Sequence, residues 1–156
     1  MSVWRPASQI RVKVIGLHWR AGRLLAAEVP DDSGRIKGVR PLGGTVEFGE
    51  RAEDALRREF HEELGIAVAI TGPAVVLENL FQHEGATGHE VIFAYPVTFP
   101  PGAFDGQDVI RFHEDSGTAC VARWYDPARL DRPDGPALFP SGLKARLDAW
   151  TGGDAR

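Results

Sequence analysis

The chain has 156 residues, 43% apolar and 26% charged, which suits one globular domain with a real core and is short for two. A net charge of -4 and the lack of any basic run exclude a protein that grips long nucleic acid by its phosphates; a small nucleotide stays open, provided metal ions bring the opposing charge. The lone cysteine, Cys120, excludes an internal disulfide and a cysteine-built zinc site, and fits a reducing, cytoplasmic setting.

In chain order, "MSVWRPASQIRVKVIG" offers no long apolar stretch followed by a small-residue cleavage site, so no signal peptide is expected, and no apolar run approaches the ~20 residues of a membrane helix. "QIRVKVIGLHW" alternates, with Ile10, Val12 and Val14 on one face, and predicts a strand. "RAGR" is a turn and "LLAAEV" a second strand, a candidate hairpin; "PDDSG" is loop. "ERAEDALRREFHEEL" holds no Pro or Gly, is rich in helix formers and stops at Gly65, so it predicts a helix with a glycine C-cap. "IAVAI" and "AVVLENLF" read as one strand or two, broken at "TGP". "HEGATG" reads as a turn, "HEVIFAYPVTF" as a long strand, "PPGAFDGQD" as a loop and "TACVARWYD" as a strand. "FPSGLKARLDAW" predicts a last helix starting at Pro140 or Ser141, and 151–156 a fraying tail. With no repeat and no linker, residues 1–156 form a single α/β domain, a mixed sheet with helices on its faces.

The central helix carries an oddity. An α-helix advances roughly 100° per residue, which puts Leu56, Phe60 and Leu64 on one core-facing stripe and Asp54 and His61 on the wet side. Glu59, Glu62 and Glu63 fall in a sector that abuts the stripe and overlaps it at Glu63, where unpaired charge is costly. Like charges at i,i+3 and i,i+4 each cost about 0.2–0.5 kcal/mol, and only Arg58 offers a nearby cation. Two accounts compete: a solvated face paired to neighbouring elements, or a divalent cation site built from oxygen ligands.

The approach to the helix decides between them. Gly44, Glu50 and Arg58-Glu59-Phe60-His61-Glu62-Glu63-Leu64-Gly65-Ile66 stand at fixed spacing. The arrangement resembles the signature box of the Nudix hydrolases, Gx5Ex7REUxEExGU, U being a bulky apolar residue. All seven fixed positions match, and Phe60 stands where Ile, Leu or Val is commoner.

The resemblance implies a Nudix-type α/β/α sandwich. It also implies hydrolysis of a pyrophosphate bond, in a nucleoside di- or triphosphate or a nucleoside-diphosphate-linked compound, with Mg²⁺ or Mn²⁺. Carried onto this chain, it makes Glu59 and Glu63 the main metal ligands and the Gly43 carbonyl a further one. Glu62 becomes a ligand or, as the favoured assignment, the base, with Glu59 next in line for that role; Glu50 assists the metal from the loop. Arg58 holds a glutamate in place, and Gly44 and Gly65 serve backbone shape. Metal ions neutralise the pyrophosphate and lower the pKa of a bound water, and a glutamate accepts its proton.

Outside the box, Arg40 is a candidate phosphate contact or a surface arginine, and the loop carboxylate Glu47 has no assigned role. Some relatives recruit a late acidic residue; Glu90 and Glu114 are the candidates here, with Asp115 beside the latter. Phe48, Phe81, Tyr95 and Trp124 are candidates to stack on a base, Phe81 foremost, although aromatics at such positions more often fill cores. Cys120 reads as a small buried side chain.

Markers of sub-family specificity are mostly absent: Leu80-Phe81 stands where ADP-ribose hydrolases carry a proline and dinucleoside polyphosphate hydrolases a tyrosine. Isopentenyl diphosphate isomerases, which share the fold, need a cysteine before the box, and Cys120 follows it. A non-catalytic nucleotide-binding sensor module is the alternative, and RNA cap removal a further option; the intact box favours an enzyme. The expected partner is a small nucleotide or nucleotide-linked diphosphate, with no long nucleic acid and no membrane, and a homodimer is left open.

Overall fold

The computed structural model describes residues 3–150, with side chains described for 3–147; the tail expected at 151–156 lies outside the described residues. Eleven strands and two α-helices follow in the order β1 (Ile10–Leu17), β2 (Trp19–Arg20), β3 (Arg23–Pro30), β4 (Ile36–Arg40), β5 (Gly43–Thr45), α1 (Ala52–Leu64), β6 (Ala69–Ile70), β7 (Val75–His83), β8 (Ala86–Thr98), β9 (Val109–His113), β10 (Ala119–Tyr125), β11 (Ala137–Leu138) and α2 (Leu143–Trp150). Among these residues no helix is long and apolar enough to cross a membrane.

The strands form two sheets. One is ordered β5-β1-β8-β6, with β7 also on β8, and is mixed because β1 and β8 run parallel. The other is ordered β11-β4-β3-β10-β9, with β2 on β3. The second half of β1 and the first half of β3 are buried on both faces. Val14, Leu25 and Ala27 look into one core with Ala55, Leu56 and Phe60 of α1. Ile15, Leu17, Leu24 and Ala26 look into the other with Leu143 and Leu147 of α2. A helix therefore covers each side, the α/β/α arrangement expected from the sequence.

Several local expectations are corrected. The first alternating stretch is not one arm of a long hairpin with β3. It breaks after Leu17, β1 stays in the first sheet, and only Trp19–Arg20 folds back on Arg23 and Leu24. Its Ile10–Val12–Val14 face is buried only at Val14; Ile10 and Val12 are exposed and belong to neither core. The turn read across "HEGATG" shrinks to Glu84-Gly85, both at positive φ (49° and 82°), so β7 and β8 pair from His83–Ala86 onward as a two-residue hairpin. "VIRFH", unassigned in the sequence reading, is β9. The last helix begins at Leu143, not at Pro140 or Ser141, because Gly142 precedes it at a left-handed φ of 88°.

Candidate active site

Helix α1 presents the box residues much as its periodicity predicts. Leu56 and Phe60 are fully buried, and Gly65 caps the helix at φ 70°, donating its N–H to the His61 carbonyl at 2.9 Å. Phe60 packs so closely on β1 that a Cβ at Gly16 would meet its ring. The three glutamates then differ: Glu59 is buried, Glu63 half-buried and Glu62 exposed.

Projection placed Glu63 nearest the core, but Glu59 lies deeper because β5 folds over it. A Cβ at Gly44 would strike the Glu59 carboxylate, and one at Gly43 would strike the Val14 carbonyl. Both glycines are demanded by close approach, and for Gly44 this is the local reason the box begins with a glycine.

Arg58 is the hub. Its Nε and Nη2 donate to the two oxygens of Glu50 at 2.7 and 2.9 Å, and Nη2 also donates to the Thr45 carbonyl at 3.0 Å. Nη1 donates to Glu59 at 2.9 Å and, at 3.4 Å, to Glu62. Both Glu50 oxygens are thus turned to the guanidinium, and Oε1 also accepts from the Glu47 N–H. Glu50 takes no part in the convergence of Glu59, Glu62 and Asp115.

Glu59, Glu62 and Asp115 bring carboxylate oxygens within 4.8 Å of one another. Asp115 comes from the turn between β9 and β10, in the second sheet. Of the late acidic residues, Asp115 joins the glutamates, whereas Glu114 forms a 2.7 Å ion pair with Arg40. Glu90 lies on β8, in a groove with Lys13 and Arg11. No spacing rule in the sequence separates Asp115 from Glu114; the turn geometry does.

Burial raises the pKa of Glu59, offset by Arg58, with Asp115 and Glu62 raising it further. Burial likewise lifts Glu63 to about 8, with Glu59, Glu114 and Asp115 adding repulsion and Arg40 opposing. Among the described residues only Arg58 donates to this cluster, and it is shared with Glu50. A set made of oxygen donors alone, short of positive charge and partly dehydrated, fits a hard divalent cation. Asp32, His83 and Glu84 also converge. There, however, Arg5 already pairs with Asp32 and Lys37 Nζ meets His83 Nδ1, so positive charge is in place.

The aromatic candidates separate by burial. Tyr95 is core, Trp124 packs against the core under Arg20 with its Nε1–H on the Gln107 carbonyl, Phe81 is half-buried on β7, and Phe48 is fully exposed. Cys120 is half-buried rather than buried, and burial with Glu114 nearby pushes its thiol up to about 12.

The family model described as "NUDIX domain" matches residues 8–142. A nucleoside triphosphatase, NudI, of Escherichia coli O139:H28 is 49% identical over 51 residues; that stretch is 32% of this chain and 36% of the relative, so the chain matches about a third of the curated relative's length. The crystal structure of a MutT NUDIX hydrolase from Burkholderia pseudomallei superposes with a TM-score of 0.61 at 23% identity, covering 89% of this chain and 98% of that one. A NUDIX hydrolase from Nitrosomonas europaea gives a TM-score of 0.58 at 20% identity, covering 92% and 90%. At those identities the two structures speak for the fold.

Proposed function

The chain belongs to the Nudix family, and on that premise we propose that it is a divalent-cation-dependent hydrolase. Its substrate is a pyrophosphate bond in a nucleoside di- or triphosphate, or in a nucleoside diphosphate linked to another moiety. One observation carries the reading: Glu59, Glu62 and Asp115 converge to within 4.8 Å beside Glu63. Bare, this cluster repels a pyrophosphate; filled with Mg²⁺ or Mn²⁺ it attracts one. The bound ion supplies charge neutralisation and makes water more acidic.

Glu59, Glu63 and Asp115 would hold the ion, with the Gly43 carbonyl alongside. Glu62 is the base. It is exposed, and its one hydrogen bond, from Arg58, is long at 3.4 Å, so an oxygen remains free to take the proton of an attacking water. Arg58 and Glu50 act as positioning residues, their paired bonds fixing Glu59 on the helix. Arg40 and Glu114 flank the cluster, where Arg40 can reach an outer phosphate.

A non-catalytic sensor module needs the carboxylates only to bind, and the free oxygen of Glu62 favours hydrolysis over that alternative. The name of the NudI relatives makes nucleoside triphosphates the first compounds to try. The protein is incubated with nucleoside di- and triphosphates, dinucleoside polyphosphates, sugar nucleotides and capped RNA, with Mg²⁺ or Mn²⁺, and the products identify the bond cut. Tight binding of one compound with turnover of none would overturn the enzyme reading.

A further inference from the structure

Strand β7 has one neighbour. It pairs with β8 along its whole length, from Val75–Ala94 to His83–Ala86, and with no other strand among the described residues. Its far side is an open edge nine residues long. The other outer strands are short: β5 has three residues, β6 and β11 two each, and β9 five, with Arg111 and His113 exposed on it.

The hairpin fixes which backbone groups face outward. In an antiparallel pair, alternate residues spend both N–H and C=O on the neighbour. The Glu84-Gly85 turn closes on His83 and Ala86, so His83, Phe81, Asn79 and Leu77 bond to β8. Asn79 and His83, each only 6% exposed, agree with that. The N–H and C=O groups of Val76, Glu78, Leu80 and Gln82 therefore point away from the sheet, and none meets another backbone group among the described residues.

Proteins ordinarily guard such an edge with lysine, proline or a bulge. Strand β7 contains neither lysine nor proline, and its register with β8 runs without a shift. Val76 and Leu80 are 49% and 64% exposed on it. An edge so long and unguarded suits an added strand.

The side chains select the partner. Where one edge meets its own copy antiparallel about a dyad, directly opposite residues share a face. Glu78 on the dyad would bring two carboxylates together, and Phe81 there would oppose Glu78 to Glu84. Asn79 there would face Glu78 with Leu80. With Leu80 on the dyad, leucine lies on leucine and Glu78 faces Gln82 twice. Gln82 gives one amide hydrogen to Thr87 Oγ1 at 2.7 Å and keeps a second for that carboxylate. The strand thus carries its own complement, with acceptor against donor and no like charges opposed.

We propose that β7 is a self-association edge: two copies of this chain pair β7 with β7 antiparallel, Leu80 at the dyad, joining their mixed sheets into one. An interface of one strand from each copy is small, so the dimer is weak and grows with concentration. The proposal does not depend on the hydrolase reading.

Sedimentation velocity over rising concentration should show monomer passing to dimer. Deuterium exchange at the Val76, Glu78, Leu80 and Gln82 amides should slow over the same range. Leu80→Lys sets like charges opposite each other and should raise the dissociation constant about tenfold or more. Ile10→Lys, on the same face but two strands in from the edge, should leave it unchanged. Gln82→Lys should tighten the dimer and Gln82→Glu loosen it, since each faces Glu78. All three positions are exposed, so the variants should fold, and thermal midpoints of dilute protein check that. Should one fail, the wild-type exchange pattern decides.

A monomer at every concentration up to about 1 mM would overturn the proposal and leave the edge to an extended segment of another protein. A dimer that ignores Leu80→Lys, or that forms without slowing those four amides, is built elsewhere and overturns it too. So does one that answers Gln82→Lys and Gln82→Glu alike.

Discussion

Gly44 and Glu59 occupy one space: the side chain that position 44 lacks is where the carboxylate of Glu59 lies. The atoms a Cβ would strike are the far end of a flexible side chain, so the fold can yield while the carboxylate cannot stay. Gly44→Ala should leave the thermal midpoint nearly unchanged and displace Glu59 from the cluster. Turnover should fall about 10²-fold, the scale of a misplaced catalytic group, with Mn²⁺ or Mg²⁺ affinity falling alongside. Full activity with unchanged metal affinity would show that Glu59 is not a ligand.

Glu63 predicts a pH signature. Its folded pKa, about 8, lies above its ordinary value of 4.5. The stabilisation from its bound proton is fully present below about pH 4.5 and is lost as pH rises through about 8. Metal-free protein should therefore lose stability across that window. Adding Mg²⁺ or Mn²⁺ should restore stability at the upper end and release a proton near pH 7. Calorimetry in buffers of different ionisation heat reads that proton; a heat independent of the buffer would remove Glu63 from the ligand set.

Arg58 donates to Glu50, Glu59, Glu62 and the Thr45 carbonyl. Removing it strands two poorly exposed carboxylates, so Arg58→Ala should cost about 3 kcal/mol in denaturant unfolding. Arg58→Lys keeps the charge and loses the fork, so it should recover part of the stability and little of the activity. If lysine restores full turnover, charge rather than geometry is what Arg58 contributes.

Asp115 and its neighbour Glu114 should separate cleanly. Asp115→Asn removes an oxygen from the cluster and should weaken metal affinity and turnover about 10-fold or more. Glu114→Gln releases Arg40 and should act mainly on KM. Within the helix, Glu62→Gln and Glu63→Gln should each cut turnover at least ~10²-fold. Near wild-type rates in both would overturn these assignments.

What could be read from the chain was what is local. Helix α1, its glycine cap, the Leu56–Phe60 stripe and the clustering of Glu59, Glu62 and Glu63 all follow from spacing along one rigid element. Contacts made across the fold could not be read. Asp115 and Glu114 are adjacent in the chain, and only the turn between β9 and β10 separates their roles. Glu59 is deepest because β5 crosses above it, which a projection of the helix alone cannot contain. Strand β9 escaped notice because "VIRFH" is short and half polar. Asn79 did leave a trace, a polar residue in the inward phase of an alternating strand, but its burial with an unpaired Oδ1 shows only in the fold.

The Glu84-Gly85 turn has a consequence well away from itself. Two residues at positive φ permit one hairpin register, and that register sets Asn79 opposite Glu90. One residue inserted at this solvent-exposed tip would exchange the faces of β7, turning Glu78 and Leu80 inward and Asn79 out. Which side chains of a nine-residue strand are buried is thus dictated by loop length at its far end, a place where insertions are ordinarily harmless.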